Sequence, residues 1–180
     1  MGSWRAELTA ARLRAAFIAA ALSWAALLVA APFLAGRAHA STLASALIVG
    51  VYGIGSLICH QLPERSYHLW AAQMPVCARC TGIYFGAVLG VMASALRPAH
   101  AEPRFRARAL PAPSIVVQGV SPAWPARVAL ALAVVPTLVT LAYEWTAGQM
   151  PSHAVRAAAG IPIGLVVAWL VVAAADNQVN

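Results

Sequence analysis

The 22 residues from Cys59 to Cys80, CHQLPERSYHLWAAQMPVCARC, hold all three cysteines of the chain and two of its five histidines. Pro75 is expected at the first turn of a helix, where no amide hydrogen is needed. "CARC" then opens that helix, and the sulfurs of Cys77 and Cys80, three residues apart, share one face. Unpaired amides and the positive end of the helix dipole favour thiolates there, and Arg65 and Arg79 add positive charge. Thiolates bind soft and borderline metals, and three cysteines with one histidine form a tetrahedral zinc set. Cys59, Cys77 and Cys80 supply three ligands, with His60 or His68 the fourth. His60 adjoins Cys59, so the pair strains one site, whereas His68 sits in freer chain. Glu144 or His153 offers closure from elsewhere. Iron, nickel and copper share these ligand types, so the spacing does not single out zinc.

Two rival chemistries use the same residues. Cys-x-x-Cys at a helix N-terminus also describes thiol–disulfide exchange, with Cys77 and Cys80 as the pair and Cys59 as resolving thiol, although no thioredoxin-like βαβ pattern accompanies it. A structural disulfide leaves one odd thiol. Around the thiols lies a polar set comprising Glu64, Arg65, Ser66, Arg79, Glu144 and Arg156. Glu144 and Arg156 flank the short turn of EWTAGQMPSHAVR and are expected to pair across it. Glu64 and Ser66 are placed to cap the site or bridge to Arg79 or Arg156 as a polar lid. A transporter or transporter subunit with Glu144 and Arg156 on its path is a third reading, weakened because no span carries a charge near its middle. His39 and His100 read as ordinary loop histidines.

The elements that must position these residues are hydrophobic. Of 180 residues, 62% are hydrophobic and 9% charged, far below the roughly 25% charged of a soluble domain. The apolar runs approach the length that crosses a bilayer. The expected fold class is therefore an all-α, polytopic membrane bundle of about five transmembrane helices in a single domain. The spans are about 15–35, 42–58, 75–96, 128–145 and 154–175, with a mobile Arg/Pro-rich loop at 97–127. The first arginines, the first apolar run and "AHA" at Ala38–Ala40 also resemble a signal peptide, but that run exceeds the 7 to 15 residues of a signal core, so the first span is kept. All twelve basic residues are arginine. The net charge of +7 points to lipid headgroups and topology rather than nucleic acid. Trp70, Trp124 and Trp145 fall at expected span ends, where indoles favour the interface.

Ala78, Gly82, Gly86, Gly90 and Ser94 recur every four residues, and Gly160, Gly164 and Ala168 do the same in the last span. Such faces let helix backbones approach closely in lipid. Internal packing is the favoured use; a homo-oligomer through the Gly82/Gly86/Gly90 face is the alternative. With five crossings the N-terminus, the Cys59–Cys80 connection and the last turn share one side, and the arginines divide six to six. Discounting Arg79 and Arg156 inside spans leaves six against four, favouring a cytoplasmic long loop and an outer cysteine segment.

CHQLPERSYH…MPVCARCTGIYFG resembles the signature of a family of small prokaryotic predicted membrane proteins with a domain of unknown function, number two thousand and eighty-five. Cys59, His60, Gln61, Arg65, Ser66, Pro75, Cys77, Arg79, Cys80, Gly82 and Tyr84 fall on it. PTLVTLAYEWTAG…SHAVRAAAGIPIG resembles the second half more loosely, with His153 where the family pattern has asparagine. The resemblance implies a multi-pass protein of a prokaryotic inner membrane and brings no activity with it.

Overall fold

In lipid every backbone polar group must find a partner within the protein, which leaves helices as the natural form for long apolar runs. The computed structural model, which describes residues 3–37, 41–96 and 124–177, has this character. Its elements are α1 (Ser3–Ala35), α2 (Thr42–Ile58), a 3₁₀ turn (Pro63–Arg65), strands β1 (Ser66–Leu69) and β2 (Ala72–Cys77), then α3 (Ala78–Ala95), α4 (Trp124–Ala147) and α5 (His153–Asn177). Four of the helices, α1, α3, α4 and α5, are long and apolar enough to cross a membrane. α2 has 17 residues, about 25 Å at 1.5 Å per residue, short of a hydrocarbon core of about 30 Å. Most of the expected 97–127 loop (97–123), with His100, and likewise Ala38–Ala40 with His39, lie outside the described residues. Residues 124–127, expected in that loop, form the first turn of α4.

The bundle is built on the parallel pair α3 and α5. A Cβ at Gly82 would overlap the Ala157 carbonyl, one at Gly86 the Ile161 carbonyl, and one at Gly164 the Ile83 carbonyl. The glycine face of α3 is thus filled by α5 of the same chain, and an oligomer cannot use it without displacing that helix. α4 returns antiparallel to α5, and Thr137 Oγ1 donates to the Ala159 carbonyl at 2.8 Å.

α1 runs antiparallel to α3. Phe17 and Ile18 pack beside Val91, Trp24 meets Tyr84 edge to face at 6.0 Å, and Leu28 lies against Met74 and Val76. The start of α1 therefore sits at the end of the bundle away from the cysteines, whereas five full crossings would have put it beside them.

The connection between α2 and α3 is a β-hairpin rather than an irregular loop. Ser66 pairs with Cys77, His68 with Gln73 and Leu69 with Ala72, with an irregularity between Ser66 and His68. Trp70 and Ala71, the two turn residues, have φ of +51° and +66°, as in the turns whose twist suits a hairpin. Side chains adopt this conformation at a cost of about 1–2 kcal/mol each. Compensating contacts hold it: the Trp70 ring stacks edge-on against Phe33 at 5.1 Å, and its carbonyl fits against Gly36, where a Cβ would lie 2.5 Å away. Trp70 is thus the tip of the hairpin rather than a span end. Pro75, expected to open the third helix, stands inside β2, and α3 begins at Ala78. Proline biases the preceding residue to extended backbone, and a two-stranded sheet tolerates its missing N–H on an edge.

Candidate metal centre

Three elements deliver the sulfurs. α2 ends at Ile58, and Cys59 turns to extended backbone as its C-cap. Cys77 is the last residue of β2 and the N-cap of α3, and Cys80 lies in the first turn of α3. Their three Sγ atoms lie within 4.8 Å of one another. All three cysteines are free, and none is fully exposed. Trp24 and Leu28 of α1, Met74 and Val76 of β2, and Tyr84 of α3 pack around them.

Gln61 ties the end of α2 to β2. It stands at φ +48°, and its side-chain amide donates to the Tyr52 carbonyl at 2.9 Å and to the Pro75 carbonyl at 2.6 Å. Gln73 donates back to the Gln61 carbonyl, and the Tyr52 hydroxyl to the Gln73 carbonyl. Gly55 completes the seam, because a side chain there would overlap the Pro75 carbonyl. Sequence reasoning matched Gln61 to a signature without giving it a role; its place directly after Cys59–His60 was the available signal. Tyr52 carried none.

The backbone N–H of Cys77 donates to Cys59 Sγ at 3.2 Å, which orients that sulfur towards the strand–helix junction. The Cys77 thiol is lowered to about 5, first by a hydrogen bond from the Cys80 side chain, against an opposing effect of burial. The amides of Cys80 and Arg79 and the Cys59 thiol lower it further. A lowered thiol is ionised above its own pKa and loses its charge as pH falls through it. Alkylation of Cys77 in metal-free protein is therefore expected to stay fast from pH 8 down to about 6 and to slow as pH passes about 5, whereas a free cysteine slows already below about 8.5. Single-site rates in a chain with Cys59 and Cys80 intact check this, and a rate that falls from pH 8 downward contradicts it.

The other expected ligands are not grouped with the three sulfurs among the described residues. His60 is exposed, and His68 points outward from β1; among the described residues the metal-competent group contains only the three cysteines. His153 Nε2 lies 3.2 Å from the Glu64 carbonyl, and its ring is 5.4 Å from that of Tyr67. Glu144 belongs to a second polar cluster. Arg79 donates to it at 2.9 Å and to Thr140 at 3.1 Å. Arg156 pairs with it at 3.3 Å across the α4–α5 turn, as expected, and Arg65 approaches to 3.9 Å. Ser66 is fully buried, and its hydroxyl donates to the Leu62 carbonyl at 3.0 Å. The Glu64 side chain is exposed. Thus α4 and α5 share the thiol end of the bundle, and Glu144 serves the arginines.

A helical bundle with a thiol cluster where an extended connection meets a spanning helix defines a polytopic membrane protein. Residues 59–170 match the family described as "Predicted membrane protein (DUF2085)", more than half of the chain, and the protein belongs to that family. It is 40% identical over 62 residues to an uncharacterized protein of Methanocaldococcus jannaschii, covering 34% of this chain and 40% of that one. It is 57% identical over 30 residues to an uncharacterized protein of Methanothermobacter thermautotrophicus, covering 17% of this chain and 27% of that one. The matched stretches thus span less than half the length of either relative. No solved structure matches the chain.

Proposed function

We propose that this is a prokaryotic cell-membrane protein that holds one metal ion, zinc by preference, through Cys59, Cys77 and Cys80. The observation that carries the reading is the convergence of three free thiols from three separate elements to within 4.8 Å. Zinc–sulfur bonds of about 2.3 Å in a tetrahedron place sulfurs about 3.8 Å apart, so a small inward movement satisfies it. The donor chemistry also fits, since Cys77 sheds its proton readily and Cys59 Sγ is held by an N–H. Three protein ligands leave a fourth position for water or an external ligand, whereas closure by His60 or His68 makes a structural site. A bound zinc at an open site supplies Lewis-acid chemistry. The protein's own part is to orient the sulfurs through Gln61 and shield them with Leu28 and Val76.

The antiparallel run of α1 and α3 supports four crossings, with α2 and the hairpin returning to the side they left. By sequence, eight arginines (5, 12, 14, 97, 104, 106, 108 and 127) then belong to the start of α1 and the connection from α3 to α4, and Arg37, Arg65, Arg79 and Arg156 to the opposite connections. The positive-inside rule makes the side of the eight cytoplasmic and the cysteine cluster external. The six-to-six division expected from the sequence counts α2 as a full crossing.

A second reading, a thiol–disulfide oxidoreductase using Cys77 and Cys80, is favoured by the acidic Cys77 thiol at the α3 N-cap. One experiment separates the two: a membrane-impermeant alkylating reagent on intact cells, with and without a chelator. A metal centre on the outer face is labelled from outside, and only after chelation. Labelling that ignores the chelator contradicts the metal, a requirement for reductant selects the redox reading, and labelling only in opened cells contradicts the sidedness.

A further inference from the structure

The arginine cluster lies on a different side of α3 from the sulfurs and poses its own problem. Arg79, Arg156 and Arg65 come from α3, α5 and the 3₁₀ turn, and they converge on the single carboxylate of Glu144 at 2.9, 3.3 and 3.9 Å. The carboxylate is 5% exposed, and the arginine side chains 12%, 1% and 37%, respectively. A guanidinium does not deprotonate in a protein, so three cations face one anion and the cluster carries an excess of two positive charges. Each guanidinium also offers five N–H donors, and Glu144 and Thr140 do not satisfy them. The Nε of all three arginines is buried without a hydrogen-bond acceptor among the described residues. For Arg156 the neighbouring Glu144 oxygen is within ion-pair distance but not in hydrogen-bonding alignment. Buried, under-compensated charge is costly at a membrane boundary. A cluster serving structure alone would be complete with fewer arginines on one carboxylate.

We infer that this cluster binds a phosphate-type oxyanion. The charge excess suits a doubly charged phosphate, and planar guanidinium forks match phosphate oxygens. Exposure rises from Arg156 to Arg79 to Arg65, which sets Arg156 at the floor and Arg65 at the mouth. Glu144 keeps the floor arginines spread between α3, α4 and α5. The cluster stands where α3 and α5 begin and α4 ends, the depth of lipid headgroups, so the phosphate is either that of an acidic lipid or a free one. The site stands independently of the metal reading.

The test is thermal unfolding of the purified full chain at fixed ionic strength. Inorganic phosphate is titrated against chloride in detergent, and nanodiscs of phosphatidic acid with phosphatidylcholine are compared with phosphatidylcholine alone. One of the two phosphate sources is expected to raise the unfolding temperature by several degrees, as a ligand of the folded state must. A response to inorganic phosphate identifies a free anion, and a response to phosphatidic acid alone identifies a headgroup. Arg65→Gln, at the exposed mouth, is expected to fold and to weaken binding by about tenfold or more, the loss of a charge-assisted hydrogen bond. Arg156→Lys keeps the charge but loses the fork, and weakens it too. The Cys77→Ser, Cys80→Ser double variant retains the phosphate response even if it loses metal. No shift with either source, or an unchanged shift in Arg65→Gln, overturns the assignment.

Discussion

Gly164→Val is expected to leave no cooperatively folded bundle. A Cβ at this position would overlap the Ile83 carbonyl and press to 2.7 Å from both the Ala87 amide nitrogen and the Ile83 carbonyl carbon. These are backbone atoms of α3 and cannot swing aside as a side chain would. Overpacking costs about 1–3 kcal/mol and sometimes more when neighbours can adjust; here α3 and α5 must separate along their shared face. That separation uncouples Arg79 from Arg156 and Glu144, so one substitution in the lipid-spanning region disables the arginine cluster. Gly164→Ala is expected to lower the unfolding temperature markedly. Gly50→Ala is the control, because no atom lies within 4 Å of the added carbon, and alanine favours a helix by about 0.5–1 kcal/mol over glycine. Detergent-solubilised protein followed by circular dichroism on heating reads all three. A wild-type transition in Gly164→Val contradicts the close approach of the two helices.

Glu144→Gln is expected to be nearly as damaging. The carboxylate is the shared counter-ion of Arg65, Arg79 and Arg156, and Arg156 is almost wholly buried. Removing one partner of a buried pair typically costs about 3–5 kcal/mol, since the remaining charge stays desolvated. Because the arginines come from three elements, the loss falls on the junction of α3, α4 and α5 rather than on one hairpin. Adding Arg156→Met to Glu144→Gln removes the stranded cation and is expected to recover part of the loss. Denaturation curves of the two variants check this; equal stability of Glu144→Gln and wild type contradicts it.

What the sequence made legible follows the strength of its patterns. Helical character came from long apolar runs, and close internal helix packing from the four-residue repeats of small residues in α3 and α5, although that the two faces meet each other was shown only by the structure. The thiol cluster was legible because cysteine is scarce in this chain and its three copies fall in one short segment. The hairpin was not, since Leu69–Trp70–Ala71–Ala72 lacks the Asn-Gly or Gly signal of a tight turn. Its geometry depends on Phe33 of α1 and on Gly36 just after that helix, more than thirty residues away. Taking Pro75 for a helix start rather than a strand residue followed from the same gap. The side on which each connection lies turns on α2, whose residues are apolar but whose 17-residue length is short for a span, and on the direction of α1 against α3, which is a tertiary fact. The third arginine on Glu144 was likewise hidden, because Arg65 reaches it from a turn nearly eighty residues earlier.

The central claim is that Cys59, Cys77 and Cys80 together hold a metal. The most direct measurement is the metal content per chain of detergent-purified protein, prepared without chelators and determined by mass spectrometry, for wild type and for Cys59→Ser, Cys77→Ser and the Cys77→Ser, Cys80→Ser double variant. The account predicts about one zinc per wild-type chain, depletion in both single variants and none in the double variant, because three donors leave little affinity once one or two are removed. A wild-type protein without stoichiometric metal, or a double variant that keeps it, would contradict the account.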